Sequence, residues 1–114
     1  MAKENQLRKR LVRANRVFGG TVVNKGNLDF ETDMASRQKK PFKRMAHLTR
    51  AMTSGHSFSD GNKRTAIIAT ASELNSAGYK ADKKKLVRTM INLSATAEGD
   101  LKKIERKLRR CTRR

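Results

Sequence analysis

His56-Ser57-Phe58-Ser59-Asp60-Gly61-Asn62-Lys63-Arg64 is the stretch on which the reading of this chain turns. Residues up to Gly61 have loop composition, and a helical pattern, apolar nearly all round, runs from close to Asn62 to about Ala77. A helix N-terminus presents backbone N–H groups without intrahelical acceptors and the positive end of the peptide dipole, so it can hold a phosphate with no side chain at all. Gly61 leaves space for close backbone approach. Lys63 and Arg64 put two cations into the first turn, where they oppose the dipole, and a bound anion would remove that conflict. Asp60 is a carboxylate beside this anion site, able to share a Mg²⁺ with phosphate oxygens. His56 is the residue type best suited to taking a proton near neutral pH. Taken singly, each has a plainer explanation: a surface histidine, an Asp-Gly-Asn turn and cap, a solvated basic face. In this order they are poorly explained by a turn alone.

Working outward, the rest of the chain reads as helices. Leu7, Leu11, Ala14 and Phe18 recur at steps of three and four, predicting a helix from about Glu4 that Gly19-Gly20 ends. Thr21-Val22-Val23 is a short β-prone run, followed by turn residues Asn24 to Asn27. A second helix is expected from Leu28 to about Lys39, with Leu28, Phe30, Met34 and Ala35 as its apolar positions. Pro41 suits the first turn of a third, carrying Met45, Leu48, Ala51 and Met52 and stopping near Gly55. The helix opened by Asn62, being apolar nearly all round, belongs at the centre of a bundle and stops at Gly78. Asp82 and Asp100 are candidate caps for a fifth helix (Leu86, Met90, Leu93) and a sixth (Leu101, Ile104, Leu108). The expectation is a single all-α domain over residues 1–114, a compact bundle of about six helices with at most a short β-hairpin.

The chain has 114 residues, 28 Lys and Arg against 10 Asp and Glu, and a formal net charge of +18. That balance fits an acidic partner such as RNA, DNA, a nucleotide or an acidic protein, or else a basic solvated surface. With four Phe, one Tyr and no Trp, few rings are available to stack on bases. Cys111 stands alone, so no intrachain disulfide forms, and its spacing from Ile104 and Leu108 makes it a small core residue. The N-terminus has no apolar leader pattern and no long apolar run occurs, predicting a soluble, cytoplasmic protein with no membrane partner. Lys102, Lys103, Arg106, Lys107, Arg109 and Arg110 on the last helix would form one patch with Arg8, Lys9, Arg10 and Arg13 if the terminal helices lay side by side, offering contact to RNA or a ribosome.

The quoted stretch resembles the Fic signature, His-x-Phe-x-(Asp/Glu)-Gly-Asn-x-Arg, and its continuation Asn62-Lys63-Arg64-Thr65-Ala66 resembles the Doc branch of the Fic/Doc superfamily. Gly19-Gly20 with the helix start at Asn27-Leu28, Glu73 to Tyr79, and the basic last helix are also similar to the family. The resemblance implies roles. His56 would be the general base toward a target hydroxyl, and Phe58 a core anchor for the loop. Asp60 would hold Mg²⁺ on the nucleotide phosphates, with Gly61 and Asn62 lining the anion hole. Lys63 and Arg64 would contact phosphate oxygens, Arg64 sharing the catalytic work with His56. Thr21, Val22, Val23 and Asn24 fall where the family carries a flap that clamps the target as an added strand.

Two departures select among the family's reactions. AMP-transferring members usually have Gly at the position of Lys63 and a second Arg three residues after the first, where this chain has Ile67. Doc-type members share both departures, which implies transfer of the terminal phosphate of ATP to a hydroxyl of a macromolecule, a Ser, Thr or Tyr of a translation factor, with toxin activity and an antitoxin partner as further expectations. AMP transfer is the alternative reaction; a non-enzymatic basic module binding RNA or a ribosome is the alternative class, and a silent relative that keeps the motif but only binds is a third. Ser94-Ala95-Thr96-Ala97-Glu98-Gly99 resembles the family's inhibitory pattern, (Ser/Thr)-x-x-x-Glu-(Gly/Asn). There Glu98, one helical turn after Ser94, would pair with Arg64, unless Glu98 and Gly99 merely end the fifth helix.

Overall fold

The computed structural model describes residues 5–113; Glu4, where the first helix was expected to begin, lies outside them. Among the described residues six α-helices follow one another: α1 Gln6–Val17, α2 Lys25–Ser36, α3 Pro41–Thr53, α4 Asn62–Ser76, α5 Lys83–Thr96 and α6 Leu101–Arg109. Two-residue strands β1 (Lys80–Ala81) and β2 (Thr112–Arg113) pair antiparallel, Lys80 opposite Arg113 and Ala81 opposite Thr112. No described helix is long and apolar enough to cross a membrane. The fold class is all-α, a compact six-helix bundle among the described residues.

Side-chain caps set most helix starts. Asn5, Asn24, Asp82 and Asp100 each accept a hydrogen bond from a backbone N–H in the turn they open. Asn24 corrects the expected start of the second helix. The Asn24 side chain accepts from the Asn27 amide at 3.2 Å, so the residues read as a turn are already the first turn of α2. That shift changes the buried face: Leu28, Glu31, Thr32 and Ala35 are inside, and Phe30 is 55% exposed.

The centre of the bundle is α3, not α4. Nine of the thirteen residues of α3 are buried, against four of fifteen in α4. α3 touches α2, α4, α5 and α6, whereas Ile68 of α4 is exposed. The apolar run of α4 misled because much of it is alanine, which packs at an edge as readily as at a centre. Leu28, Met45, Leu48, Met52, Leu74, Met90, Leu93, Ile104 and Leu108 fill one core, with Cys111 at its margin. Inside it, Glu31 accepts from Arg50 Nε at 2.6 Å and Nη2 at 3.0 Å, and lies 3.1 Å from His47 Nδ1. Arg50 also donates to the Gly99 carbonyl, joining α2 and α3 to the turn before α6.

Two surface expectations also change. α1 packs on α2 and α4 while α6 packs on α3 and α5, so the basic terminal helices are not the packed neighbours that one continuous patch required. Several of those cations are engaged: Arg8 pairs with Asp29, and Arg109 pairs with Glu105 and lies 4.5 Å over the Phe42 ring. The β-hairpin flap expected near Thr21 to Asn24 is not a hairpin. That segment runs along the loop before α4, and β1 with β2 is the only strand pair among the described residues.

Candidate active site

The loop from Gly55 to Gly61 is fixed from three sides. From α2, the Asn27 carboxamide donates to the Ala51 carbonyl and to Ser57 Oγ, and Ser57 Oγ donates to the same carbonyl at 2.8 Å. Asn24 donates to the Gly55 carbonyl at 3.1 Å. From the preceding segment, Val22 bridges Phe58: the Ser57 carbonyl accepts from the amides of Val23 and Asn24, and the Ser59 amide donates to Thr21. From α1, buried Asn15 donates to the Asp60 carbonyl at 2.7 Å. Gly20 passes so close to this last contact that a Cβ there would collide with both groups. Asn62 closes the turn, taking the Phe58 amide on Oδ1 at 3.1 Å and donating from Nδ2 to the Phe58 carbonyl at 2.7 Å. Its oxygen and one of its two Nδ2 hydrogens are thus tied to the loop backbone, and Asn62 also lines the cavity at the start of α4. Phe58 itself is buried in the core.

Gly61 ends the loop in the left-handed region, φ 71°, and its missing Cβ would stand 2.8 Å from Phe18 Cβ. No side chain caps α4, and its first turn contains no acid. The amides of that turn, which have no intrahelical acceptor, open on a cavity of about 460 Å³ lined by Phe18, His56, Ser59, Lys63, Arg64 and Ser94, with Asp60, Gly61 and Asn62 at its base. His56, Asp60, Lys63 and Arg64, brought together here, are exposed. His56 has φ 43°, one of two non-glycine residues at positive φ among the described residues. The guanidinium of Arg64 lies 5.8 Å over the Phe18 ring, within cation–π range. Lys63 and Arg64 have no carboxylate partner among the described ion pairs, so the cavity carries uncompensated positive charge at a helix N-terminus.

The residues present fit a phosphate-bound Mg²⁺. No described group of three or more acidic, His or Cys side chains could cage a metal alone. Mg²⁺ is, however, commonly held by one carboxylate together with substrate phosphates. Asp60 meets that need: Oδ1 accepts from the Gly61 amide at 2.7 Å, fixing the carboxylate at the mouth of α4 with its second oxygen available.

Other expected residues are placed differently. Ser94 lines the cavity from α5. Glu98 does not share its helical face, because α5 ends at Thr96. Ala97 turns left-handed at φ 49°, its amide bonds to the Ser94 carbonyl and the Glu98 amide to that of Leu93, a Schellman closure. The Glu98 carboxylate accepts from the Asp100 amide at 3.4 Å, and no described ion pair joins it to Arg64. The sequence reading missed Asn15, Asn27 and Ser57, the residues that hold the loop. Asn15 alone left a signal, a polar residue four after Leu11 on the apolar face of α1.

The chain has no match among curated proteins. The family model described as Fic/DOC family matches residues 2–74, which takes in α1 to α3, the whole loop and α4 as far as Leu74, and leaves α5, α6 and the strand pair beyond it. With close to two thirds of its length matched and the motif loop laid over the uncapped start of α4, the chain belongs to the Fic/DOC family.

Proposed function

We propose that this protein transfers the terminal phosphate of a nucleoside triphosphate, with ATP as the co-substrate, to a Ser, Thr or Tyr hydroxyl of a macromolecular target. The observation that carries the reading is the convergence of His56, Asp60, Lys63 and Arg64 on one cavity at the start of α4. Amides of the first turn, Lys63 and Arg64 hold the phosphates and meet the charge that grows on their oxygens. Asp60 would hold the Mg²⁺ that neutralises phosphate charge. His56 takes the proton of the target hydroxyl. The hydroxyl oxygen bonds to the terminal phosphorus, the bond from that phosphorus to its bridging oxygen breaks, and the nucleoside diphosphate leaves with the electron pair. Val22 leaves its own amide and carbonyl out of the bridge to Phe58, so Thr21 to Asn24 has an edge on which an extended target segment can add. A translation factor as target, a toxin role and an antitoxin are expectations of the resemblance alone.

Two residues favour terminal-phosphate over AMP transfer. Lys63 fills space that a glycine would leave, and Ile67 packs against the core where a second arginine would otherwise reach the phosphates. The test is incubation with a cell extract and ATP labelled at the α or the γ phosphate. The γ label is expected on a macromolecule; transfer of the α label would establish AMP transfer instead, and transfer of neither would favour a binding-only protein.

A further inference from the structure

Outside the candidate active site, one groove combines concentrated charge with a definite shape. It lies between α5 and α6, about 400 Å³ in volume, and is lined by Lys85, Arg88, Thr89, Asn92, Lys107, Arg110 and Cys111. It shares no residue with the cavity at α4, and it sits entirely beyond the segment matched to the family.

Its walls carry four cations and no carboxylate, and none of the four is in a described ion pair. Lys85, Arg88 and Asn92 follow one another at helical steps of three and four, so they form a row on α5. Lys107 and Arg110 form the facing row from α6 and the turn after it. Lys107 is half-buried, and its ammonium donates to Asn92 Oδ1 at 2.8 Å, a neutral partner that positions the charge without cancelling it. The same bond leaves the Asn92 amide hydrogens free to donate. Between the rows, the Thr89 hydroxyl lies 3.3 Å from the Cys111 sulfur, whose one thiol hydrogen also has the Lys107 carbonyl within reach at 3.4 Å. Burial pushes the Cys111 thiol up from its ordinary value, so the floor adds no negative charge. The groove therefore offers four cations, of which Lys107 is held in place, above a polar floor that carries no carboxylate.

We propose that this groove binds the phosphodiester backbone of a nucleic acid. Phosphates in a row match two facing rows of cations, and the polar floor gives hydrogen bonds to phosphate oxygens. No aromatic ring lines the groove, so contact runs along the backbone and carries no base preference. A carboxylate-rich protein is disfavoured because its charges are borne on flexible side chains, without the fixed repeat of a phosphate chain. The long-range field of a chain with net charge +18 would speed capture, while the groove would set where the strand lies.

The experiment must separate the groove from bulk charge. Single-stranded RNA and DNA of equal length are titrated by fluorescence anisotropy against the full chain, the double variant Arg88→Ser/Lys107→Ser, and the control Lys39→Ser/Lys40→Ser, which removes the same charge from exposed positions outside the groove. Circular dichroism checks that all three are folded. The groove variant is expected to bind about tenfold more weakly at low salt, and its slope of log affinity against log salt to fall by about 1.4, two contacts at about 0.7 each. The control is expected to stay within about twofold of the parent. Loss on both strands places recognition at the phosphodiester, and loss on RNA alone adds the 2′-hydroxyl; either supports the proposal. Equal weakening of both variants, or a groove variant that binds as the parent does, overturns it. So does polyglutamate binding that is as strong as RNA binding and equally sensitive to the groove substitutions. No nucleotide or transfer step enters the assay, so its result is independent of the reaction proposed for the α4 cavity.

Discussion

At the level of single residues, His56 is informative because it sits where a histidine is costly. Its φ of 43° is a left-handed conformation that an L side chain adopts at a penalty of about 1–2 kcal/mol. Nothing in the core compensates, since the side chain is exposed. Strain kept at an exposed site is a mark of use. His56→Gly is therefore expected to leave the melting temperature unchanged or higher while transfer falls about 10²-fold or more, as for loss of a general base. A folded variant that transfers at the wild-type rate would remove His56 from the chemistry. Glu98 gives the opposite expectation. Its carboxylate is engaged with the Asp100 amide and not with Arg64, so Glu98→Gly should leave transfer within about twofold, measured with the same γ label. The motif residues were legible in the sequence because their order is rare. Asn27 was not, because the Ala51 carbonyl it holds is distant in sequence, and an asparagine that braces a loop looks the same in a sequence as one that faces water; Asn15 differed only in standing on the apolar face of α1.

Elements are decided by their ends. The Schellman closure of α5 asks for glycine at the left-handed position and has Ala97 there. Ala97→Gly is expected to stabilise the fold by up to about 1 kcal/mol, read from chemical denaturation. Loss of stability in that variant would mean that the Ala97 methyl packs against something the turn needs. Next along the chain, Asp100 caps α6, and hydrogen bonds from the amides of Lys103 and Lys102 hold its carboxyl below the ordinary carboxylate value. A lowered value in the folded state stabilises the fold above that ordinary value, and the contribution is lost as pH falls through it and below. Between about pH 5 and pH 3, amides at the start of α6 should therefore lose protection faster in the wild type than in Asp100→Asn, whose cap does not titrate. Helix number and the Asp82 and Asp100 caps could be read from periodicity and from Asp, Gly and Pro, whereas the Asn5 and Asn24 caps were not. The centrality of α3 could not, because alanine-rich α4 has the same apolar signature as a helix buried on every side.

For the molecule as a whole, charge and connection compete. A net charge of +18 on 114 residues repels itself, and that repulsion reaches furthest at low ionic strength. The midpoint of thermal unfolding should rise between about 0.01 M and about 0.15 M salt, over which the Debye length falls from about 30 Å to about 8 Å. A flat response would show that the cations are spaced too widely to interact. Holding the bundle against this repulsion, Glu31 gathers Arg50 and His47, and Arg50 reaches on to Gly99. Glu31→Ala leaves a partly buried guanidinium without its carboxylate and should lower stability by about 3 kcal/mol, measured by urea unfolding.

The pairing of β1 with β2 has a further meaning. Lys80 faces Arg113, Ala81 faces Thr112, and the Asp82 amide bonds to the Cys111 carbonyl at 2.6 Å. The whole α5–α6 segment thus leaves the rest of the molecule and returns to it at one doorway, six residues after the matched family segment stops at Leu74. A segment with adjoining ends is a module in the tinkerer's sense: it can be lengthened, recoloured with charge or exchanged for another without rerouting the chain through the active-site half. What such a graft must keep is the inward face: Leu86, Met90, Leu93, Ile104 and Leu108 to fill the core, Ser94 at the wall of the α4 cavity, and the Gly99 carbonyl for Arg50 to hold. The outward positions of α5 and α6 are open to change, which makes the surface of this lobe the natural place for one lineage to acquire a habit that its relatives lack.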